Sequence, residues 1–246
     1  MQAQQAIWIY LSPHLDDAVL SCGGMIWEQA QRGICVQVWT IFAADPPADD
    51  LSLFAQSLHD RWGSSSLAVQ QRREEDAEAC VLLNAVPRYF PYSDCIYRRH
   101  PGSSAAVIMG EDDLFRPDYA GEAELLLQIR EDVSRALPED CVLVAPAGIG
   151  NHIDHQLVRS AVETIQRPTW YYPDFPYADL PAEQQKAWEQ PGAVWLLPVS
   201  EAGLFAWQRS ISAYRSQIST FWSGEGHMHA AIREYWRRGG GALLRR

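Results

Sequence analysis

Apolar runs of strand length alternate with helix-length patterns along nearly the whole chain, and this alternation limits the fold more than any other feature. The runs AIWIYLS (6–12), ICVQVWTIFA (34–43), RYFPY (88–92), CVLVAPA (141–147), TWYYP (169–173) and AVWLLPV (193–199) read as strands. Between them lie helical stretches at 16–33, 72–84, 122–137, 155–166 and 201–219. Most of these strands are apolar throughout rather than alternating, so they are buried on both faces. Such strands, separated by helices, form βαβ units around a parallel sheet. The expected fold class is α/β: a three-layer sandwich with a mainly parallel sheet, a single domain over 1–246 with a basic C-terminal tail at about 233–246.

Two stretches break the alternation. Residues 44–70 and 94–118 are long and rich in Pro, Asp, Ser and Gly. Loops of this length inside a compact domain are uncommon and are often functional, so both are read as lids around a site.

Chemistry concentrates where two predicted strands end. The first strand runs into Pro13-His14-Leu15-Asp16-Asp17, and CVLVAPA leads through Gly148-Ile149-Gly150 to Asn151-His152-Ile153-Asp154-His155. Each cluster sits between the carboxyl end of a strand and the start of a helix, which is the ligand-binding edge of an open parallel sheet. Should the two strands be neighbours, His14, Asp17 and His155 could converge on one metal. Two imidazoles, a carboxylate and an open fourth position make a catalytic zinc site. Asp16 is then placed as a base beside the metal's water, whose pKa the ion lowers toward about 7. His152 is suited to steady an oxyanion or protonate a leaving amine. Asp154 is suited to orient His155 or His152 through the far ring nitrogen.

Pro-His-Leu-Asp-Asp, followed by Leu-Ser-Cys-Gly-Gly, resembles the His-Pro-Asp-Asp-Glu motif of the LmbE-like (PIG-L) zinc-dependent N-acetylglucosaminyl deacetylases. Gly-Asn-His-Ile-Asp-His resembles their second motif, Gly-His-Pro-Asp-His. Arg72-x-x-Glu75, twelve residues before Asn84, and Tyr214-Arg215-Ser216-Gln217 resemble two further, weaker signatures, so the likeness runs over residues 6 to 220. It implies a Rossmann-like sandwich with the active site at the carboxyl ends of the strands. It also implies an enzyme, a zinc-dependent hydrolase that removes an N-acetyl or other N-acyl group from an N-acetylglucosamine-type conjugate. His14, Asp17 and His155 match the zinc ligands, a set with which another divalent metal such as Fe(2+) is also compatible. Asp16 matches the general base, His152 the histidine that polarises the carbonyl or acts as acid, and Asp154 its charged partner. Arg72 falls where the family has a substrate-contacting arginine. Three positions depart from the pattern: Leu15 replaces a proline, Ala18 an acidic residue and Asn84 a glycine. The first two touch supporting detail and the third only a turn. Alternative readings are a zinc amidase acting on a thiol conjugate or other small amide, and a degenerate sugar-binding protein.

The partner expected is a small amino-sugar molecule. Nucleic acid is not expected, because the formal charge is −11 and such binding draws on neutralised phosphates. The charge is uneven: residues 233–246 carry five Arg and one Glu, read as a solvated basic tail on a body of −15. No membrane span is expected, since no run approaches the ~18–20 apolar residues required. MQAQQAIWIY lacks the basic start and cleavage site of a leader, so the cytoplasm is the expected compartment. The five cysteines form no CxxC pair and read as reduced core thiols. Of 20 basic residues only Lys186 is lysine, which leaves charged contacts to the rigid fork of Arg. Exposed Trp and Arg could serve a homo-oligomer interface. Asp94 is a candidate for binding sugar hydroxyls. The run Trp170, Tyr171, Tyr172, Phe175, Tyr177 is either core packing or a platform for a sugar ring. Gly23-Gly24 is read as a close helix contact, and His227-x-His229 as a rim or surface pair rather than a second metal site.

Overall fold

A computed structural model describes residues 6–63, 67–100, 102–179, 193–241 and 243–245. The first five residues of the stretch read for a leader, and Lys186, lie outside the described residues. The strands are β1 (Ile7–Ser12), β2 (Val36–Thr40), β3 (Val86–Tyr89), β4 (Cys141–Pro146), β5 (Thr169–Tyr172), β6 (Ala193–Trp195) and β7 (Leu243–Arg245). The helices are α1 (Asp17–Gln31), α2 (Leu53–Arg61), α3 (Ala68–Leu82), α4 (Ala123–Ala136), α5 (Ile153–Glu163), α6 (Glu201–Ser212), α7 (Ile218–Phe221) and α8 (Glu225–Arg237).

One sheet runs in the order β3-β2-β1-β4-β5-β7-β6. The first five strands are parallel, and β7 is antiparallel to both of its neighbours. Side chains alternate between the faces, as a strand's period of two requires. Tyr10, Val38 and Val144 point into a core shared with α1, α3, α6 and α8, while Ile9, Leu11, Trp39 and Leu143 pack against α4 and α5. The three expected layers are present. From β1 the chain winds outward through β2 to β3, then returns to place β4 on the other side of β1. The seam between β1 and β4 is therefore a topological switch point, where such sheets bind ligands.

Four expectations need correction. The loop read at 44–70 contains α2, because Ser52 caps the helix by accepting from the Ala55 amide and Ala55, Leu58 and Trp62 bury in a third core. The loop at 94–118 holds two 3-10 turns, Cys95–Tyr97 and Glu111–Leu114. The helix expected over 201–219 breaks after Ser212. There Ser216 turns its backbone N–H to the buried Glu75 carboxylate at 3.1 Å, and that amide cannot serve a helix as well. The basic tail is not a solvated appendage. Its first part is the end of α8, with Tyr235 buried, and Leu243 of β7 is fully buried where β7 slots between β5 and β6. Arg233 and Arg238 in it pair with Glu201 and Asp179 of the body. Trp170 packs toward Trp195 with ring centroids 6.3 Å apart, so it is part of the core, not a sugar platform.

Gly23 and Gly24 do form a close contact. The indole of Trp207 on α6 lies so near that a Cβ on Gly23 would stand 2.4 Å from its Cδ1, and its Nε1 is held by a 2.7 Å bond to the Val19 carbonyl. The ring cannot withdraw without breaking that bond. Gly23→Ala should lower stability by about 1–3 kcal/mol, as overpacking does, read as a lower urea midpoint at unchanged slope.

Candidate active site

β1 and β4 are hydrogen-bonded neighbours, with Tyr10 opposite Val144. Their carboxyl ends deliver the two predicted clusters side by side. After β4 the chain turns through Gly148, Gly150 and Asn151, all with left-handed φ (77°, 90° and 63°), a region that Gly and Asn enter most readily. Gly150 has a second reason to lack a side chain: a Cβ would meet that of Tyr177 at 2.7 Å. The turn sets His152 as the N-cap of α5, with its Nδ1 accepting from the Asp154 amide at 3.3 Å. An imidazole whose Nδ1 accepts carries its proton on Nε2, so His152 is a donor there. Burial and the neighbouring His14 and His155 keep it neutral, with its pKa well below the usual value.

Asp17, the first residue of α1, supplies the central atom. Its Oδ2 lies 3.2 Å from His14 Nδ1 and 3.3 Å from His155 Nε2, and it accepts the His14 amide at 2.7 Å. Ring nitrogens of His14, His152 and His155 also come within 4.8 Å of one another. Zinc bonds of ~2.0–2.2 Å in a tetrahedron place adjacent ligand atoms about 3.3–3.6 Å apart, close to the 3.2 and 3.3 Å that separate Asp17 Oδ2 from the two rings. His155 Nε2 is buried and makes no hydrogen bond, despite facing Asp17. An orphaned imidazole nitrogen among such neighbours fits a divalent metal. Burial would lower the pKa of His155, but the Asp17 carboxylate, and Asp174 on the far ring nitrogen, raise it to about 9.

Asp16 is buried beside this group, with Arg72 Nη2 3.8 Å from its Oδ2. Burial and the Asp17 carboxylate push the Asp16 carboxyl up to about 7, against the pull of Arg72. Arg72 stacks on Trp62 with 4.9 Å to the ring centroid, and its Nε is buried without a partner. Asp94 caps the turn Cys95–Tyr97 through Oδ1, while its Oδ2 stands 3.8 Å from His14 Nε2. His14, Asp16, Asp17, Arg72, Asp94 and His152 all line one cavity of about 270 Å³. His155 and Asp154 lie behind its wall, fully buried. His229 meets Ser212 and His227 meets Ser223, so this pair does not converge.

Two partnerships differ from expectation. Asp154 orients neither His152 nor His155 with its carboxylate. Its Oδ2 faces His14 Nε2 at 3.0 Å and accepts the Cys95 amide at 3.1 Å, while Oδ1 accepts from Arg98 at 2.6 Å. Burial would raise the Asp154 carboxyl, but Arg98 and His14 hold it well below the usual range. His155 is instead oriented by Asp174, whose Oδ1 stands 2.7 Å from its Nδ1 and whose Oδ2 accepts the Ile149 amide at 2.9 Å. Asp174 is the acidic residue just beyond β5, the same strand-end context as the two clusters, which was the available signal for it. The two weaker signatures turn out to be halves of one contact: Glu75 accepts from both the amide and the hydroxyl of Ser216, at 3.1 and 2.6 Å, and this holds Gln217 at the cavity wall.

Residues 9–166 match the family model PIG-L, GlcNAc-PI de-N-acetylase. The chain belongs to this family of deacetylases. A 2'-N-acetylparomamine deacetylase of Niallia circulans is 29% identical over 196 residues, covering 72% of this chain and 70% of that one. Its counterpart from Streptomyces fradiae is 30% identical over 178 residues, covering 69% of this chain and 57% of that one. Among solved structures, the zinc-inhibited form of the teicoplanin deacetylase Orf2 superposes with a TM-score of 0.81 at 27% identity, covering 97% and 98% of the two chains. A 4-carboxy-2-hydroxymuconate hydratase from Pseudomonas shares the fold at 18% identity and a TM-score of 0.57, so within this architecture the site, and not the fold, decides the reaction.

Arg98 ties the family's second motif to the body. It donates to both oxygens of Glu122 at 2.8 Å as well as to Asp154. Arg98→Met removes the cation from the buried Asp154 and the half-buried Glu122 and should cost about 3–5 kcal/mol, measured by urea unfolding, while Arg98→Lys should recover part of the loss.

Proposed function

We propose that this chain is a metal-dependent N-deacetylase that hydrolyses the amide of an N-acetylglucosamine-type amino-sugar conjugate. The observation that carries the reading is that His14 and His155 both face one oxygen of Asp17, at 3.2 and 3.3 Å, with Asp16 beside Asp17 on the cavity floor. His14, Asp17 and His155 would hold the metal, and zinc is the ion assigned on this ligand set, with which Fe(2+) is also compatible. Once bound, such an ion supplies Lewis acidity toward the carbonyl and lowers the pKa of water toward about 7.

The remaining chemistry belongs to the side chains. Asp16 takes a proton from water as its oxygen attacks the acyl carbon, a role that a carboxyl poised near neutrality suits. Negative charge grows on the carbonyl oxygen, and the Nε2–H of neutral His152 donates to it. As the C–N bond breaks, Asp16 or His152 returns a proton to the nitrogen, leaving a free amine and a carboxylic acid. Asp174 and Asp154 act at one remove by fixing the rings of His155 and His14, and groups of this kind govern ligand orientation. Arg72 and Asp94 face the same space with charge and acceptor capacity for the sugar's hydroxyls and acyl oxygen.

Asp16→Asn should retain metal, by elemental analysis, and lose about 10²–10⁴-fold in kcat for amine release from a methyl N-acetylglucosaminide. Wild-type turnover in the variant, or in chelator-treated protein, would refute the mechanism. Metal uptake must displace the protons that His14 and His155 carry in the metal-free protein, where both pKa values are raised. Affinity should therefore rise with pH from 6 to 8, with proton release detected by calorimetry in buffers of different ionisation enthalpy.

A further inference from the structure

The cavity has two chemistries at two depths. Its floor is charged and buried, whereas its outer wall is apolar and only partly covered. α2 presents Phe54, Leu58 and Trp62 four residues apart, along one face of the helix. Leu114 and Phe115 reach in from the turn Glu111–Leu114, and Phe221 from α7. Phe54, Leu114, Phe115 and Phe221 are half-buried. Large apolar side chains left part-wet around a polar floor mark a surface that a ligand covers. The charges on this wall are Arg61 and Glu111, one of each sign, so the wall carries no net charge to attract a polycation.

We infer that the substrate's aglycone is an uncharged apolar group, aromatic or alkyl, that leaves the sugar on the floor and lies against Phe54, Phe115 and Phe221. The inference rests on the deacetylase reading, which places the amide at His14, Asp16 and Asp17, and it adds which conjugates are turned over well. A polyamine glycoside would meet an apolar wall whose one carboxylate, Glu111, is matched by Arg61, and its several ammonium groups would lose hydration there with little compensation. An alkyl or aryl group, by contrast, removes its own apolar surface and that of the wall from water together.

The test uses the full-length, metal-loaded protein with four N-acetylglucosamine conjugates: methyl, octyl, 4-methylumbelliferyl and an aminocyclitol. kcat/KM for the octyl and 4-methylumbelliferyl glycosides should exceed that for the methyl glycoside by about tenfold or more, a step that apolar contacts of this size supply, and the gain should appear in KM. The aminocyclitol conjugate should fall at or below methyl. In Phe54→Ala, and separately in Phe221→Ala, the octyl-to-methyl ratio should fall about fivefold or more. As both residues are half-exposed, circular dichroism and melting will verify the fold. A ratio within twofold of one in the wild type, or a preference for the aminocyclitol, overturns the inference while turnover of the methyl glycoside upholds the deacetylase. No amine release from any of the four overturns both.

Discussion

Oδ2 of Asp17 holds the site together. It sits between one ring nitrogen of His14 and one of His155, and it also accepts the His14 amide. The two histidines come from segments far apart in sequence, so the arrangement depends on β1 and β4 lying side by side. It depends equally on α1 starting at Asp17 and α5 starting one residue past His152. A carboxylate shared this way would be expensive to bury alone. The surrounding groups offset the cost in layers: Asp174 behind His155, Asp154 behind His14, and Arg98 with Glu122 behind Asp154.

The parallel half of the sheet was legible because buried parallel strands are apolar on both faces, so β1, β2, β4 and β5 appear as runs with no competing reading. The two His/Asp clusters that the structure brings together were legible for a related reason. A strand end followed by a helix start is a recognisable place, and residues such as His14, Asp16 and Asp17 crowded there have few structural uses at once. β3 was displaced by a few residues, since Tyr92 and Phe90 are as strand-like as Val86. β6 and β7 were not readable as a pair. Each has three residues, and β7 follows three glycines in a segment rich in Arg, which reads as solvent-exposed when burial of Leu243 is unknown.

The supporting residues were harder to see. Arg98 lies in an arginine pair within an irregular stretch, and nothing local separates it from the half-buried Arg99. Its role comes from Glu122 and Asp154, which reach it only in three dimensions. Asp174 was hidden inside an aromatic run whose apolar character dominated the reading. In the same way, the spacing of Phe54, Leu58 and Trp62 was present in the sequence, but the prolines and aspartates around it made the segment look like loop. Polar residues that act through a distant partner carry no periodicity, so sequence pattern finds ligands more readily than it finds what holds them.

The position of β7 constrains the order in which the sheet can be assembled. β6 precedes β7 in the chain, yet among the described residues its pairing in the sheet is with β7 alone. Its place in the sheet depends on β7. Without residues 243–245, β5 has an unpaired edge and β6 lacks the strand it pairs with. An open edge of this kind is a template for pairing with other chains, and strands that wait for a distant partner form late. The sheet is therefore complete only with the C-terminal strand in the gap between β5 and β6, while the seam between β1 and β4 is made by strands that do not touch it.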